Sequence, residues 1–453
     1  MAKKIILFLS SLPEGAPLRE STYNCKDQKG NRFTVRGRIS SEAPLLYLKH
    51  CYPDAEEAIC ILTPSAKKTS WEPIQAYVGQ ALADAKLPPL RFSPIELQEK
   101  ESFYQRPLRE IQKLLAPGDQ ILLETTGGFR NTVMDLLLLS RILSYSGYET
   151  LDAVYSNFPT HEVQSVLHLI ELFDLVGGMQ ELSSFGSIRT LQTYYNHHQD
   201  LQDEKVGHLL YTMRKLSDKI TLCRTGGLEA TIEDFNQALE AAADCTDPLM
   251  QALIPAFQEK FDKRMTTPGL IKWCAESDMI QQALTIYKER IPRYVLSDPN
   301  IQVSLREEVR QDADSYKDVY EDRLWCALYE MGDRAWSKYS RKPQYQKLYG
   351  DPTGRYVIML DHLAEFLPDS AFSVSCNEED LRAFIMDYYY VRALRNMVNH
   401  ANDELTQGSA LMHYIANHLH YKQPEDAKPE DIRTILVKKC VEHLKKLHDK
   451  ARR

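Results

Sequence analysis

The sequence predicts an N-terminal α/β domain followed by an all-α domain. Short apolar runs alternate with helical patterns up to about residue 190, and helical periodicity alone continues beyond it. Of the 453 residues, 43% are hydrophobic and 26% are charged, which excludes a disordered or fibrous protein. A chain of this length is expected to form more than one domain.

The first domain, residues 1–190, is predicted to be a doubly wound, Rossmann-like sheet. Short apolar runs separated by helical stretches are typical of parallel strands that are buried on both faces. In such folds, ligands bind outside the carboxyl ends of the strands, near the point where the strand order reverses. The predicted strands are residues 5–10, 33–39, 58–62, 120–124 and 151–155, with helices that include residues 71–86 and 104–115.

A helical connection over residues 191–260 and a helical domain over residues 261–453 are predicted to follow. One helix is expected over residues 269–287, and the step from Ile291 to Pro292 is expected to interrupt the helical pattern. The other predicted helices are residues 209–222, 232–243, 324–331, 356–366, 379–404, 410–418 and 431–450.

The cysteine pattern and the hydropathy of the chain indicate its cellular compartment. The nine cysteines include no Cys-x-x-Cys pair, which argues against a disulfide framework or a zinc site and favours buried, reduced thiols. No apolar run reaches the roughly 18–20 residues of a membrane span. The apolar start of the chain is interpreted as a first strand rather than a signal peptide. We therefore expect a cytoplasmic protein without a membrane partner.

Charge is distributed unevenly along the chain. A formal net charge of −8 does not indicate nucleic-acid binding by the whole surface. Residues 433–453, however, carry eight lysines and arginines against two acids within a predicted helix. This segment suits either a solvated helix face or contact with an RNA backbone.

A glycine-rich turn joins the predicted strand 120–124 to a helix. Gly127 and Gly128 allow a close backbone approach, and Thr132 with Asp135 resembles a capping box. The turn lacks both the Walker and the dinucleotide-binding patterns, and a plain turn remains an alternative. Exposed amides at a helix start would favour an anion. The candidate ligand-binding residues at this edge of the sheet are Ser10, Ser11, Thr63, Thr125, Thr126, Gly127, Gly128, Phe129, Arg130 and Asn131.

A second group of polar residues lies on the predicted helix 379–404. Arg395, Asn399, Asn396 and His400 fall at roughly 0°, 40°, 100° and 140° around the helix, on one continuous arc. Such an arc could support metal-free RNA cleavage, in which the ribose 2′-hydroxyl attacks the adjacent phosphate. His400 would transfer a proton and Arg395 would stabilise the developing charge. A chance pairing of Arg and His is the alternative.

Together, the two groups resemble the CARF–HEPN ribonucleases of type III CRISPR systems. The resemblance rests on residues 126–130 in an N-terminal α/β domain, on Arg395-Asn396-x-x-x-His400 in a C-terminal helical domain, and on their order. Residues 273–292 also look like an early helix of the HEPN region. The resemblance implies an N-terminal CARF domain, a C-terminal HEPN domain, and Arg395, Asn396 and His400 as catalytic residues.

The same resemblance implies partners and a reaction. A homodimer would bind one cyclic oligoadenylate as allosteric activator and cut single-stranded RNA non-specifically in antiviral defence. Cleavage would leave a 2′,3′-cyclic phosphate and a 5′-hydroxyl, and no metal or other cofactor is expected. The alternatives are a sensor that degrades its own cyclic oligoadenylate and a non-catalytic regulator. The sequence does not give the ring size.

Overall fold

The computed structural model comprises two compact units, Met1–Asp174 and Leu175–Arg453. It describes residues 2–13, 18–98, 105–128, 130–199, 203–261, 263–298, 301, 303–306, 319–351, 353–370, 372–374, 378–399, 410–423 and 429–451. The division into domains at residues 190 and 260 stays a prediction.

The first unit is built around one eight-stranded sheet. Its strands are β1 (Lys3–Leu9), β2 (Ser21–Lys26), β3 (Arg32–Gly37), β4 (Ala55–Leu62), β5 (Arg91–Glu96), β6 (Gln120–Glu124), β7 (Glu149–Asn157) and β8 (Glu162–Ser165). The strand order is β3-β2-β8-β7-β6-β1-β4-β5. The predicted fold class is therefore confirmed.

Strand β1 lies at the centre of the five parallel strands. Ile6 pairs with Ile59 of β4 on one side and with Leu123 of β6 on the other. The chain adds β4 and β5 on the first side and then returns to place β6 and β7 on the second. The order thus reverses at the carboxyl ends of β1 and β6, where a doubly wound fold binds ligands.

Helices cover both faces of this sheet. They are α1 (Glu42–Cys51), α2 (Pro64–Thr69), α3 (Trp71–Asp84), α4 (Arg106–Leu114), α5 (Arg130–Tyr145) and the first part of α6 (Leu167–Phe185), whose residues from Leu175 onward belong to the second unit. Ile5 and Leu7 of β1 belong to the core under α1 and α3, whereas Ile6 and Phe8 belong to the core under α4 and α5. This alternation follows from the two-residue period of a strand.

The sheet differs from the prediction because it is mixed rather than wholly parallel. β3 pairs antiparallel with β2, and β8 pairs antiparallel with β7. Both pairs are local hairpins, for which a short turn suffices and no crossover helix is needed. Three strands, β2, β5 and β8, were not predicted; β5 contains Pro94, which an edge strand tolerates.

The second unit is predominantly helical. Its helices are α7 (Arg189–His197), α8 (Glu204–Thr221), α9 (Leu228–Ala241), α10 (Pro248–Glu259), α11 (Thr267–Glu276), α12 (Ile280–Ser297), α13 (Val319–Tyr339), α14 (Gly354–Asp361), α15 (Leu363–Phe366), α16 (Glu378–Asn399), α17 (Ala410–His418) and α18 (Pro429–Ala451). Two three-residue strands, β9 (Val303–Leu305) and β10 (Phe372–Val374), form an antiparallel pair that the sequence did not predict.

Helices α12, α16 and α18 pack against one another in this unit. The single helix predicted over residues 269–287 is wrong, since α11 ends at Glu276 and Asp278 adopts a left-handed φ of 56° before α12 begins. Pro292 lies inside α12 and does not end it. Leu436, Cys440 and Leu444 of α18 are buried, as its pattern predicts.

Other features of the described residues agree with the composition. Eight cysteines are free thiols, and most of them are buried. Among the described helices, none has the length and apolar character to span a bilayer.

Candidate functional sites

The carboxyl ends of β1 and β6 form the first candidate site, at the switch point of the sheet. Ser10 follows β1, and residues 125–128 follow β6. The Gly128 amide donates a hydrogen bond to the Ser10 hydroxyl at 2.7 Å, which joins the two predicted segments. The Ser10 carbonyl in turn accepts from the Ser70 hydroxyl at 2.7 Å.

Both glycines of the turn are required by its geometry. A Cβ atom at Gly127 would lie 2.0 Å from the Phe8 carbonyl oxygen, closer than any real contact. Gly128 has a φ of 86°, and a Cβ atom there would lie 2.4 Å from the Thr132 hydroxyl oxygen. The turn can therefore lie directly against β1 only because neither residue has a side chain.

A cavity of about 260 Å³ opens at this turn, and we call it the strand-end cavity. It is lined by Phe8, Leu9, Ser10, Ser11, Thr63, Gly128 and Thr132. Four of the predicted ligand-binding residues thus share one cavity. Thr63 also caps α2, because its hydroxyl accepts from the Ala66 amide at 3.1 Å. A wall of hydroxyls next to a helix start suits a polar or anionic ligand.

The two threonines of the turn bond to the neighbouring strand. The Thr125 hydroxyl donates to the Val154 carbonyl at 2.8 Å, and the Thr126 hydroxyl accepts from the Ser156 amide at 2.8 Å. Both partners belong to β7. These side chains hold the turn in place, and their contact with a ligand stays a prediction.

Helix α5 begins three residues earlier than the capping pattern predicts. Its first residue is Arg130, so Thr132 lies within the first turn and cannot cap it. The Thr132 hydroxyl instead donates to the Gly127 carbonyl at 3.2 Å. Phe129 lies outside the described residues. The side chains of Arg130 and Asn131 lie outside them as well, and their roles stay predictions.

Sequence reasoning missed Glu124, a fully buried carboxyl at the end of β6. One of its oxygens accepts from the Thr126 amide at 2.6 Å, while the other has no hydrogen-bond partner among the described residues. Burial raises the pKa of Glu124, and the hydrogen bond from Thr126 opposes this. The available signal was an acidic residue that closes an apolar strand immediately before the glycine turn.

The second candidate site contains Arg395 and Asn396, which lie in the last turn and a half of α16. A guanidinium nitrogen of Arg395 is 3.4 Å from the Asn396 side-chain oxygen. Its other terminal nitrogen is 3.8 Å from a carboxylate oxygen of Glu289 on α12. The two predicted residues are therefore adjacent, and Glu289 is a neighbour that the sequence did not predict.

Glu289 has a second, closer cation. The Lys288 ammonium lies 2.9 Å from the same carboxylate oxygen. The side chains of Arg395 and Glu289 are only 24% and 22% exposed, so their charges are partly removed from water and interact more strongly than on an open surface. The site combines two cations with one carboxylate and can bind a phosphate oxygen.

His400 immediately follows α16 and lies outside the described residues. The predicted continuation of the helix to residue 404 also falls there. Its role as proton-transfer group stays a prediction. Within the described part of the chain, no group of three or more His, Cys, Asp or Glu residues is placed to hold a metal ion.

The chain is similar to solved structures of known proteins. No family model and no curated protein matches the chain. Among solved structures, the chain is similar to Enterococcus italicus Csm6 bound to cyclic hexa-2′-fluoro-hexa-dAMP, with 13% identity, a TM-score of 0.36, and coverage of 99% of this chain and 95% of that chain.

Proposed function

We propose that this chain is a CARF–HEPN ribonuclease of type III CRISPR defence that a cyclic oligoadenylate activates. The observation that supports the proposal most is that one chain carries two separate polar sites. The strand-end cavity lies in the α/β unit, and the Arg395 site lies in the helical unit. A sensor and an effector in one polypeptide would carry two such sites.

The strand-end cavity is the proposed ligand site. A cyclic oligoadenylate carries one negative charge per nucleotide, which suits backbone amides, hydroxyls and the positive end of α5. Ser10 and Ser11 would bond to the ligand from the end of β1, Thr63 from the end of β4, and residues 125–131 from the turn and the helix start. The ligand activates the enzyme only if it binds the active arrangement more tightly than the inactive one.

The Arg395 site is the proposed catalytic site. The ribose 2′-hydroxyl would attack the adjacent phosphorus, and the bond to the 5′-oxygen of the next nucleotide would break. His400 would transfer the proton, Arg395 would stabilise the negative charge on the phosphoryl oxygens, and Asn396 would donate a hydrogen bond there. The products would be a 2′,3′-cyclic phosphate and a 5′-hydroxyl, formed without a metal ion.

A homodimer is part of the proposal because His400 of a single chain would otherwise have to serve as both the acid and the base of the reaction. Two copies related by a two-fold axis would place two histidines and two arginines across one groove. Exposed apolar side chains of the first unit support self-association. They are Met134, Leu138 and Tyr145 on α5 and Leu169 and Phe173 on α6, which we call the α5–α6 apolar face.

Cleavage of a fluorescent single-stranded RNA in EDTA tests the proposal. The full-length protein is assayed alone and with cyclic tri-, tetra- and hexa-adenylate. We expect one ring to trigger cleavage, and Arg395→Ala and His400→Ala to reduce its rate by about 10²-fold or more. The matched control is Arg264→Ala, which removes an exposed arginine paired to Glu233 and Glu240 and should cut RNA normally.

Other outcomes point to the alternatives. Hydrolysis of the ring without RNA cleavage would identify a ring-degrading sensor. Absence of both reactions would favour a non-catalytic regulator. Activity that appears only after a divalent ion replaces EDTA would contradict the metal-free mechanism, and full activity of both site variants would place the active site elsewhere.

A further inference from the structure

Aromatic rings and arginines form a cluster beside the Arg395 site. We call it the stacking platform, and it consists of Trp325 and Tyr329 on α13, Arg355 and Tyr356 on α14, and Arg392 on α16. The Arg392 guanidinium carbon lies 3.8 Å from the Trp325 ring centroid, and that of Arg355 lies 5.1 Å from the Tyr329 centroid. Both distances are typical of a cation over a ring face.

The platform has a buried base and an exposed edge. Tyr389 of α16, which is 2% exposed, lies beneath it, with ring centroids 4.2 Å from Tyr356 and 6.0 Å from Trp325. Tyr329 at the edge is 43% exposed and lies 6.3 Å from Trp325. Asp333 fixes Arg355 through an ion pair of 2.8 Å. The rings are thus held by the core while one of them remains open to solvent.

The platform shares helix α16 with the candidate catalytic site. Arg392 precedes Arg395 by three residues and Asn396 by four, so the three side chains lie on one side of α16 in successive turns. Neighbours at these spacings have Cβ atoms about 5–6 Å apart, which is close to the separation between a phosphate and its own base in a nucleotide chain. A strand whose phosphate meets Arg395 therefore has a base within reach of the platform.

We propose that the stacking platform binds the bases of single-stranded RNA beside the scissile phosphate. Aromatic rings and arginine planes recognise unpaired bases by stacking, and they tolerate any sequence because every base has a π-face. Buried cation–aromatic pairs often serve packing alone, but packing does not require Tyr329 and Arg355 to meet at the surface. The inference rests on the proposed ribonuclease function for its substrate and adds where the bases lie.

Binding of an RNA analogue that cannot be cut tests the platform apart from catalysis. A fluorescent single-stranded 2′-O-methyl oligonucleotide lacks the attacking hydroxyl, and its affinity for the full-length protein is measured by anisotropy with and without the cyclic oligoadenylates. Tyr329→Ala should weaken binding about tenfold, within the range for base–aromatic stacking. Tyr329→Phe keeps the ring and should bind like wild type.

The matched control removes another exposed tyrosine with a cation beside it. Tyr211 is 61% exposed on α8, and the Lys215 ammonium lies 5.8 Å from its ring. Tyr211→Ala should therefore leave RNA affinity unchanged. A double-stranded competitor of the same sequence should compete poorly, because its bases are already stacked.

An abasic oligonucleotide separates stacking from a structural effect. Removing one base at one or a few positions of the strand should weaken its binding to the wild type. The same removal should not weaken its binding to Tyr329→Ala any further. Equal affinity of Tyr329→Ala and wild type for the intact strand would overturn the platform, as would a wild type that binds no strand. If that result comes with RNA cleavage, the proposed function stands. If the wild type binds the strand more tightly than Tyr329→Ala does but cuts no RNA, the platform is supported and the proposed ribonuclease function is overturned.

Discussion

Gly127 shows at the scale of one residue why the turn could be predicted. Two adjacent glycines after an apolar strand indicate a backbone that must approach another chain segment, and the structure places Gly127 against the Phe8 carbonyl of β1. Ser10 could be predicted in the same way, because polar residues after parallel strands meet at one edge of the sheet. Both positions follow from the local sequence, because the carboxyl ends of parallel strands meet at one edge of a sheet.

Substitution of Gly127 tests this close approach. Gly127→Ala adds a Cβ atom 2.0 Å from a backbone oxygen, which cannot move without disturbing β1. We expect a loss of about 2–3 kcal/mol in the free energy of unfolding, measured as a lower midpoint of thermal unfolding.

The chain supplies a matched control for this substitution. Gly79 lies within α3 and has no heavy atom within 4 Å of the position of an added Cβ. Gly79→Ala should raise stability by about 0.5–1 kcal/mol, since alanine is the better helix former. Equal stability of Gly127→Ala and wild type would mean that the turn does not lie against β1.

Glu124 and Glu289 show what local patterns cannot give. Glu124 ends a mostly apolar strand, and its burial follows from the pairing of β6 with β1 and β7, which are distant in sequence. Glu289 lies 106 residues before Arg395 and meets it only because α12 packs against α16. Contacts of this kind depend on tertiary packing, for which one sequence carries no periodic signal.

At the scale of elements, the sequence pattern predicted the central strands of the sheet and missed β2, β5 and β8 toward its edges. Central strands β1, β4 and β6 are continuous apolar runs, because helices bury both their faces. β2 and β8 at the other side of the sheet alternate exposed and buried residues and are short, so turn signals dominate their sequence. The division between α11 and α12 was missed because both helices carry an apolar face and only three residues separate them.

Helix α17 ends in a histidine that should make the helical unit sensitive to acid. Burial lowers the pKa of His418 from 6.5 to about 4, and the nearby charges of Lys439, His443 and His420 add to the effect. The folded protein therefore binds fewer protons than the unfolded chain between these two values. Stability should be lost as the pH falls from about 6.5 toward 4 and should change no further through this group below that.

A neutral side chain at position 418 removes this dependence. His418→Gln should lose less stability than wild type between pH 6.5 and pH 4, as measured by denaturant unfolding at several pH values. The control is His197→Gln at the exposed end of α7, which should follow the wild-type curve. A His418→Gln curve parallel to wild type would show that the imidazole is protonated in the folded state.

At the scale of the whole molecule, the proposed mechanism requires two chains of 52.2 kDa in one particle. The α5–α6 apolar face offers a surface for this contact within the α/β unit. Met134 is 66% exposed and Leu138 is 45% exposed, one helical turn apart on α5, and an ion pair between Arg141 and Asp174 joins α5 to α6. Exposed apolar patches of this kind mark interaction surfaces. Because α5 begins at the glycine turn, a partner there would lie beside the proposed ligand site.

Charges placed on this face should separate the two chains. Met134→Lys combined with Leu138→Lys puts like charges opposite one another across a two-fold axis, which opposes association. Light scattering should then give the mass of one chain, whereas wild type should give twice 52.2 kDa. Leu222→Lys, at a residue that is 55% exposed at the end of α8, should leave the dimer intact.

Ring-activated RNA cleavage should fall together with the dimer fraction, because one chain holds only half of the proposed catalytic groups. A monomeric double variant that cuts RNA at the full rate would contradict the composite site, and a double variant of dimer mass would place the interface on another surface.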